Sequence, residues 1–249
     1  MIVKRLVETW GTVVVIEATS TALGEVTVSA AVDDVVQFFF SVDRDFSTYK
    51  KDSQVSQIRR GELNVEDASE YVQQVWALCE FSRDLTLGAF DPWAAVGGFD
   101  PSGLVKGWAA DKCADLLVSL GIEHVQVNAA GDLSLRGGFY DGVVKPWSIG
   151  VVNPDNRTEV VKIYEITDGA IATSGTYERG AHIHDPLNGL IAIGAKSATV
   201  TGPLGWLCDA LATAVMVGGQ ESVKWFGQPE LKGYRVFAVN RHEESSWEI

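Results

Sequence analysis

Basic residues are scarce in this chain. Its 249 residues carry 33 aspartates and glutamates against 20 lysines and arginines, a formal charge of −13 and a pI near 4.7. That surplus argues against a nucleic-acid groove or an anionic membrane surface as the main partner, because both reward basic patches. It does not exclude anionic ligands, since backbone N–H groups, helix N-termini or a divalent cation can hold a phosphate. Cysteine is scarce too: Cys79, Cys113 and Cys208 stand far apart in apolar sequence, which is neither a disulfide framework nor a zinc site. They read as buried thiols in a reducing compartment. No apolar run approaches the roughly 20 residues of a membrane span. The segment MIVKRLVETWGT lacks an apolar h-region, a small-residue cleavage site and a lipid-accepting cysteine, so the expectation is a cytoplasmic protein. Walker, GxGxxG and GxSxG signatures are also missing, which removes the usual nucleotide-binding and hydrolase folds.

What is present is ordinary globular material, 46% apolar and 21% charged, enough for one well-filled core. No linker or repeat divides it, so residues 1–249 are expected to form a single domain. Val13 to Ile16 and Val26 to Val28, parted by the turn Thr19 to Gly24, predict an opening hairpin. Asp33 to Phe46 predicts a helix, FSTYKKDSQVSQIRRG a polar loop, and Asp67 to Leu87 a second helix. The stretch Gly88 to Gly107 has five glycines and two Asp-Pro pairs, a composition expected of a functional loop. A helix over Lys106 to Leu120 is followed by short strands at Val125–Asn128, Leu133–Leu135, Trp147–Val152, Val160–Ile166, Ala170–Ser174, His182–His184 and Ser197–Thr201. Pro203 then opens a strong helix ending at Gly218. A short helix near Glu221 to Phe226, a strand Tyr234 to Val239 and a frayed tail complete the reading.

Three places carry chemistry. Asp209 is a carboxylate inside the apolar helix WLCDALATAVMV, costly by several kcal/mol, in order of magnitude, unless paired or bound to a cation. Thr213, four residues on, lies on the same helix face. Together they offer the hard oxygen donors that Mg²⁺ prefers; a surface or capping role for Asp209 is the plain alternative. In ATSGTYERGAHIHDPLNG, His182 and His184 alternate onto one strand face, suited to proton transfer near neutral pH. Structural histidines or a His-x-His metal pair would look the same. In VNAAGDLSLRG, Gly131 and Asp132 form a small-residue turn, either a ligand approach or a hairpin.

Taken in order, FSTYKKDSQVSQI, AFDP, FDPSGLVKGWAAD, VNAAGDL, IATSGTYERG with HIHDP, and SATVTGPLGWLCDALATAV resemble the ApbE family of FAD:protein FMN transferases, once described as thiamine-biosynthesis lipoproteins. The resemblance runs from about Trp10 to Val239. It implies an α+β fold, mixed or antiparallel sheets packed with helices around a central FAD cleft. It also implies Mg²⁺ on the FAD pyrophosphate and transfer of the FMN half to a threonine or serine of an acceptor flavoprotein, with release of AMP. By the same resemblance the metal site falls on Asp209, Thr213 and the carbonyl of Gly103. FAD contacts fall on Trp10, Tyr49, Ala89, Phe90, Asp91, Asp100, Lys106 and Ile183. The resemblance also implies that His182 is the catalytic base and that Lys106 assists it by countering charge on the pyrophosphate.

The chain also departs from the family pattern. Trp10 replaces the usual methionine, the segment between AFDP and DPSGLVKG is short, and Ala212 stands where some relatives carry an acid. A non-catalytic FAD or FMN binder and an Mg²⁺-dependent FAD pyrophosphatase are the other functions this pattern allows, and a binder would have no use for a base at His182.

Overall fold

The computed structural model describes residues 2–176, 183–241 and 245–249. The chain opens with the antiparallel hairpin β1 (Val3–Thr9) and β2 (Thr12–Thr19), closed by Trp10 and Gly11 at φ 55° and 68°. Two left-handed residues in a two-residue loop match the right-handed twist of the paired strands. This corrects the expected hairpin. Val26 to Val28 lie in helix α1 (Glu25–Phe46), where Val28, Val32, Val35, Phe39, Val42 and Phe46 form one buried stripe at helical spacing. The helix therefore begins eight residues before Asp33. Part of the expected polar loop is likewise helical: α2 (Gln54–Arg59) starts where Ser53 Oγ accepts the Ser56 N–H at 3.0 Å.

Helix α3 (Glu70–Leu85) is capped by Ser69 and buries Val72, Val75 and Cys79. After the glycine-rich loop, α4 (Ser102–Ser119) starts four residues before Lys106. The strands β3 (His124–Ala129), β4 (Asp132–Arg136), β5 (Phe139–Tyr140), β6 (Val144–Lys145), β7 (Trp147–Val152), β8 (Val160–Ile166), β9 (Gly169–Gly175) and β10 (Ser197–Gly202) follow. Helix α5 (Gly205–Gly218) begins after Pro203 rather than at it. The helix expected near Glu221 is a 3-10 turn, Gly219–Gly227. β11 (Arg235–Val239) is joined by β12 (Ser246–Glu248), so the expected frayed tail is a paired strand. Between Ile183 and Lys196, His184 makes an isolated bridge to Ile191; His182 lies outside the described residues.

The main sheet is antiparallel, in the order β1-β2-β3-β4-β9-β10-β11-β12. The expected α+β architecture is therefore present. Alternation assigns its two faces. Val14, Ile16, Val125, Val127, Ala170, Ala172, Val236 and Ala238 point to the helices and share a core with α1, α4 and α5. Leu133, Leu135, Ile171 and Phe237 point the other way and meet Trp147 and Val151 of the β7–β8 ribbon. All three cysteines are buried and unpaired, and burial pushes their thiols up. Among the described residues, no helix is long and apolar enough to cross a membrane.

Candidate active site

Helices α4 and α5 run antiparallel and face each other along rows of every fourth residue, the spacing that stacks side chains on one helix face. Gly103 lies opposite Thr213: a Cβ on Gly103 would come within 3.0 Å of Thr213 Oγ1 and 3.3 Å of Phe90 Cε2. Gly107 lies opposite Asp209 and donates its N–H to Asp209 Oδ2 at 3.3 Å. A Cβ on Gly107 would also sit 2.2 Å from the Gly205 carbonyl oxygen, so only glycine permits this approach. Regular helix geometry would send the Gly107 N–H to the Gly103 carbonyl. Here it also meets Asp209 Oδ2, and Gly103 itself has non-helical angles, φ −84° and ψ 15°.

Asp209 is 2% exposed, which settles its side of the helix in favour of burial. Lys106 Nζ lies 3.3 and 3.4 Å from its two carboxylate oxygens and also ion-pairs with buried Asp132. Lys106 thus faces two buried carboxylates in a desolvated place. Burial and the Asp209 charge push the Asp132 carboxyl up, with Lys106 opposing. On Lys106, burial works against the charge, but Asp132 and Asp209 outweigh it and the ammonium is held. Thr213 Oγ1 is 3.2 Å from Ser174 Oγ on β9. Asp209, Thr213 and the Gly103 backbone thus gather hard oxygen donors beside Lys106, in a hollow that a side chain at 103 would fill. That fits a small hard cation. Among the described residues, no three His, Cys, Asp or Glu side chains gather at metal-binding distance.

Lys106 also lines a cleft of about 570 Å³ with Trp10, Tyr49, Ser102 and Val105. Trp10, held at positive φ in the β1–β2 turn, packs edge-on against Phe39 with ring centroids 5.4 Å apart. Tyr49 stands almost wholly in solvent at 95% exposure. The other expected flavin contacts, Ala89, Phe90, Asp91, Asp100 and Ile183, are not among the residues that line this cleft. Asp91 accepts the Trp93 N–H at 2.9 Å, and Asp100 accepts the Ser102 N–H at 3.0 Å at the start of α4. Arg59 ties the same loop down through the carbonyls of Val96 and Gly97, at 2.5 and 3.0 Å. Phe90 is buried behind Gly103, and Ala89 and Ile183 pack on the main core.

The carboxylate of Asp132 was not singled out by sequence reasoning, which noted only its turn. That turn is a hairpin, with Ala130 and Gly131 at φ 58° and 100° and Ala129 paired to Asp132. The signal was the alternation D-L-S-L: once the hairpin fixes the register, Asp132 and Ser134 share the face turned to α4.

The ApbE family model matches residues 94–237, more than half of the chain. The chain belongs to the ApbE family. It is 40% identical over 132 residues to an FAD:protein FMN transferase of Vibrio cholerae, covering 49% of this chain and 39% of that protein. Against the FAD:protein FMN transferase of Escherichia coli K12 it is 31% identical over 156 residues, covering 59% and 43%. The matched stretch thus spans about two fifths of the length of these curated relatives. In three dimensions the flavin transferase ApbE from Vibrio cholerae superposes with a TM-score of 0.83 at 25% identity, over 100% of this chain and 96% of the other. The ApbE protein from Thermotoga maritima shares the fold at the same TM-score of 0.83 and 24% identity, covering 99% and 96%.

Proposed function

We propose that this protein is an Mg²⁺-dependent FAD:protein FMN transferase, moving the FMN half of FAD to a threonine or serine hydroxyl of an acceptor flavoprotein and releasing AMP. The observation that carries the reading is the union of two features at Lys106: an aromatic-rimmed cleft on one side, and on the other a buried group of oxygen donors. A dinucleotide laid in the cleft between Trp10 and Tyr49 would bring its pyrophosphate to the lysine. An acidic protein supplies local positive charge there by construction, through one held ammonium and one recruited cation.

Asp209, Thr213 and the Gly103 carbonyl would hold Mg²⁺. Bound there, the ion would neutralise pyrophosphate charge and make AMP a better leaving group. Lys106, fixed by Asp132, would donate to the pyrophosphate oxygens as charge grows on them. His182, which the family resemblance marks as the base, would take the proton of the incoming hydroxyl as its oxygen bonds to the FMN phosphorus and the bond to AMP breaks.

The test mixes the protein with FAD, Mg²⁺ and an acceptor carrying a threonine or serine among small residues, read by mass spectrometry. FMN mass on the acceptor is expected, and His182→Ala should retain FAD but lose transfer by about 100-fold or more. Free FMN and AMP without acceptor labelling would instead indicate a pyrophosphatase, and intact FAD a binder.

A further inference from the structure

The rows that bring Gly103 to Thr213 and Gly107 to Asp209 have a third rung, four residues further along each helix. There Asp111 of α4 meets Gly205 and Trp206 of α5. Asp111 Oδ2 accepts the Trp206 N–H at 3.1 Å, and its other oxygen accepts the hydroxyl proton of Ser134 on β4. Arg136 lies 3.9 Å away. Asp111 is 6% exposed, and a Cβ on Gly205 would meet its Oδ1 at 2.8 Å.

This contact compensates for something α5 lacks. Its N-cap residue is Leu204, whose side chain cannot accept a hydrogen bond, and none is made there. The first turn of a helix presents N–H groups without intrahelical partners and a partial positive charge, both of which an anion satisfies. Asp111 supplies that anion from a neighbouring helix. Through Ser134 it also reaches the strand, and the strand face, that carries Asp132. One buried carboxylate therefore touches the three elements that bring Lys106, Asp132 and Asp209 together.

We infer that Asp111 is a positioning residue for the cation and FAD site: it caps α5 from α4 and so holds Asp209 and Thr213 opposite Gly103. The inference rests on the flavin-transfer reading for the identity of the ligand. Asparagine can keep both contacts, its oxygen accepting from Trp206 and its amide donating to the Ser134 hydroxyl. Alanine keeps neither.

The experiment measures the Mg²⁺ concentration that half-saturates FAD binding, by flavin fluorescence on the full chain, with backbone hydrogen exchange over residues 205–209. For Asp111→Ala the half-saturating Mg²⁺ should rise about tenfold or more, the range expected when a ligand's supporting partner is lost, and exchange at α5's first turn should quicken. Asp111→Asn should return both to within about threefold of wild type. Leu135→Ala, which loosens the opposite sheet face, should leave half-saturation unchanged. If Asp111→Ala binds Mg²⁺ and FAD as wild type does, or if Leu135→Ala shifts half-saturation equally, the positioning role is overturned. Should Asp111→Ala fail to fold, Ser134→Ala carries the test: a shift in the same direction supports the role and unchanged half-saturation overturns it. A wild-type chain that shows no Mg²⁺-dependent FAD binding defeats the flavin reading and this inference with it, an outcome distinct from failure of the variant comparison alone.

Discussion

Strand β4 is buried on both sides, yet its two faces hold opposite materials. Leu133 and Leu135 turn toward the β7–β8 ribbon and complete an apolar cluster with Trp147, Val151, Ile171 and Phe237. Asp132 and Ser134 turn toward α4 and α5 and meet Lys106 and Asp111. Apolar burial stabilises with little demand on geometry, at about 25 cal/mol per Å². Ionised burial stabilises only when every partner is in place, and otherwise costs several kcal/mol, in order of magnitude. A fold that keeps both on one strand places opposite demands on its two faces.

Three substitutions can break or sharpen this contrast. Lys106→Met removes the ammonium that two buried carboxylates share and should destabilise the protein by about 4 kcal/mol near neutral pH while abolishing FAD retention. Protonation relieves buried carboxylates, so the loss of stability should shrink as pH falls; denaturant titrations across pH 5 to 8 would measure it, and a pH-independent loss would contradict the charge account. Leu135→Ala on the other face should cost about 3 kcal/mol through its cavity, with FAD affinity and transfer unchanged. Equal damage to ligand binding from both variants would erase the distinction between faces.

The last effect is a dependence on pH that vanishes in acid. Burial pushes the Asp111 carboxyl up to about 6, while Ser134, Trp206 and Arg136 hold it down, and Asp115, paired with Arg136 at 2.7 Å, adds a slight upward push. A carboxyl raised in the folded state contributes its stability at low pH and loses it as pH rises through about 6. Asp111→Asn removes that loss. The variant should match wild type near pH 4 and exceed it by up to about 3 kcal/mol above pH 7, as thermal unfolding in matched buffers would record. A wild type equally stable at both pH values would contradict the buried-charge assignment.

Asp209 was legible in the sequence because a charge in an apolar helix is an anomaly that one segment displays unaided. Asp132 was not, because its direction depends on the Ala130–Gly131 turn and on pairing with β3, neither of which its neighbours along the chain declare. Asp111 was hidden for a similar reason, since the N–H it caps belongs to a helix some ninety residues away. The strands at Trp147, Val160 and Ser197 were readable from their β-branched alternation. β1 was missed since Lys4, Arg5 and Glu8 mask the buried Val3 and Val7 of an edge strand. β12 was missed because its pairing with β11 is all that makes it a strand. Local pattern reports burial well; it reports partners only when they are near in sequence.

The approach of α4 to α5 is fixed where backbone meets backbone, at Gly107 and Gly205. Side chains can change rotamer to absorb a disturbance, but peptide groups in contact cannot. The span between the residues these helices carry is therefore a gauge block, ground to size by covalent dimensions and untouched by adjustments elsewhere in the core. A single added methyl at either glycine would act as a shim, and its effect would be felt at Asp209 and Thr213, one and two helical turns from Gly205.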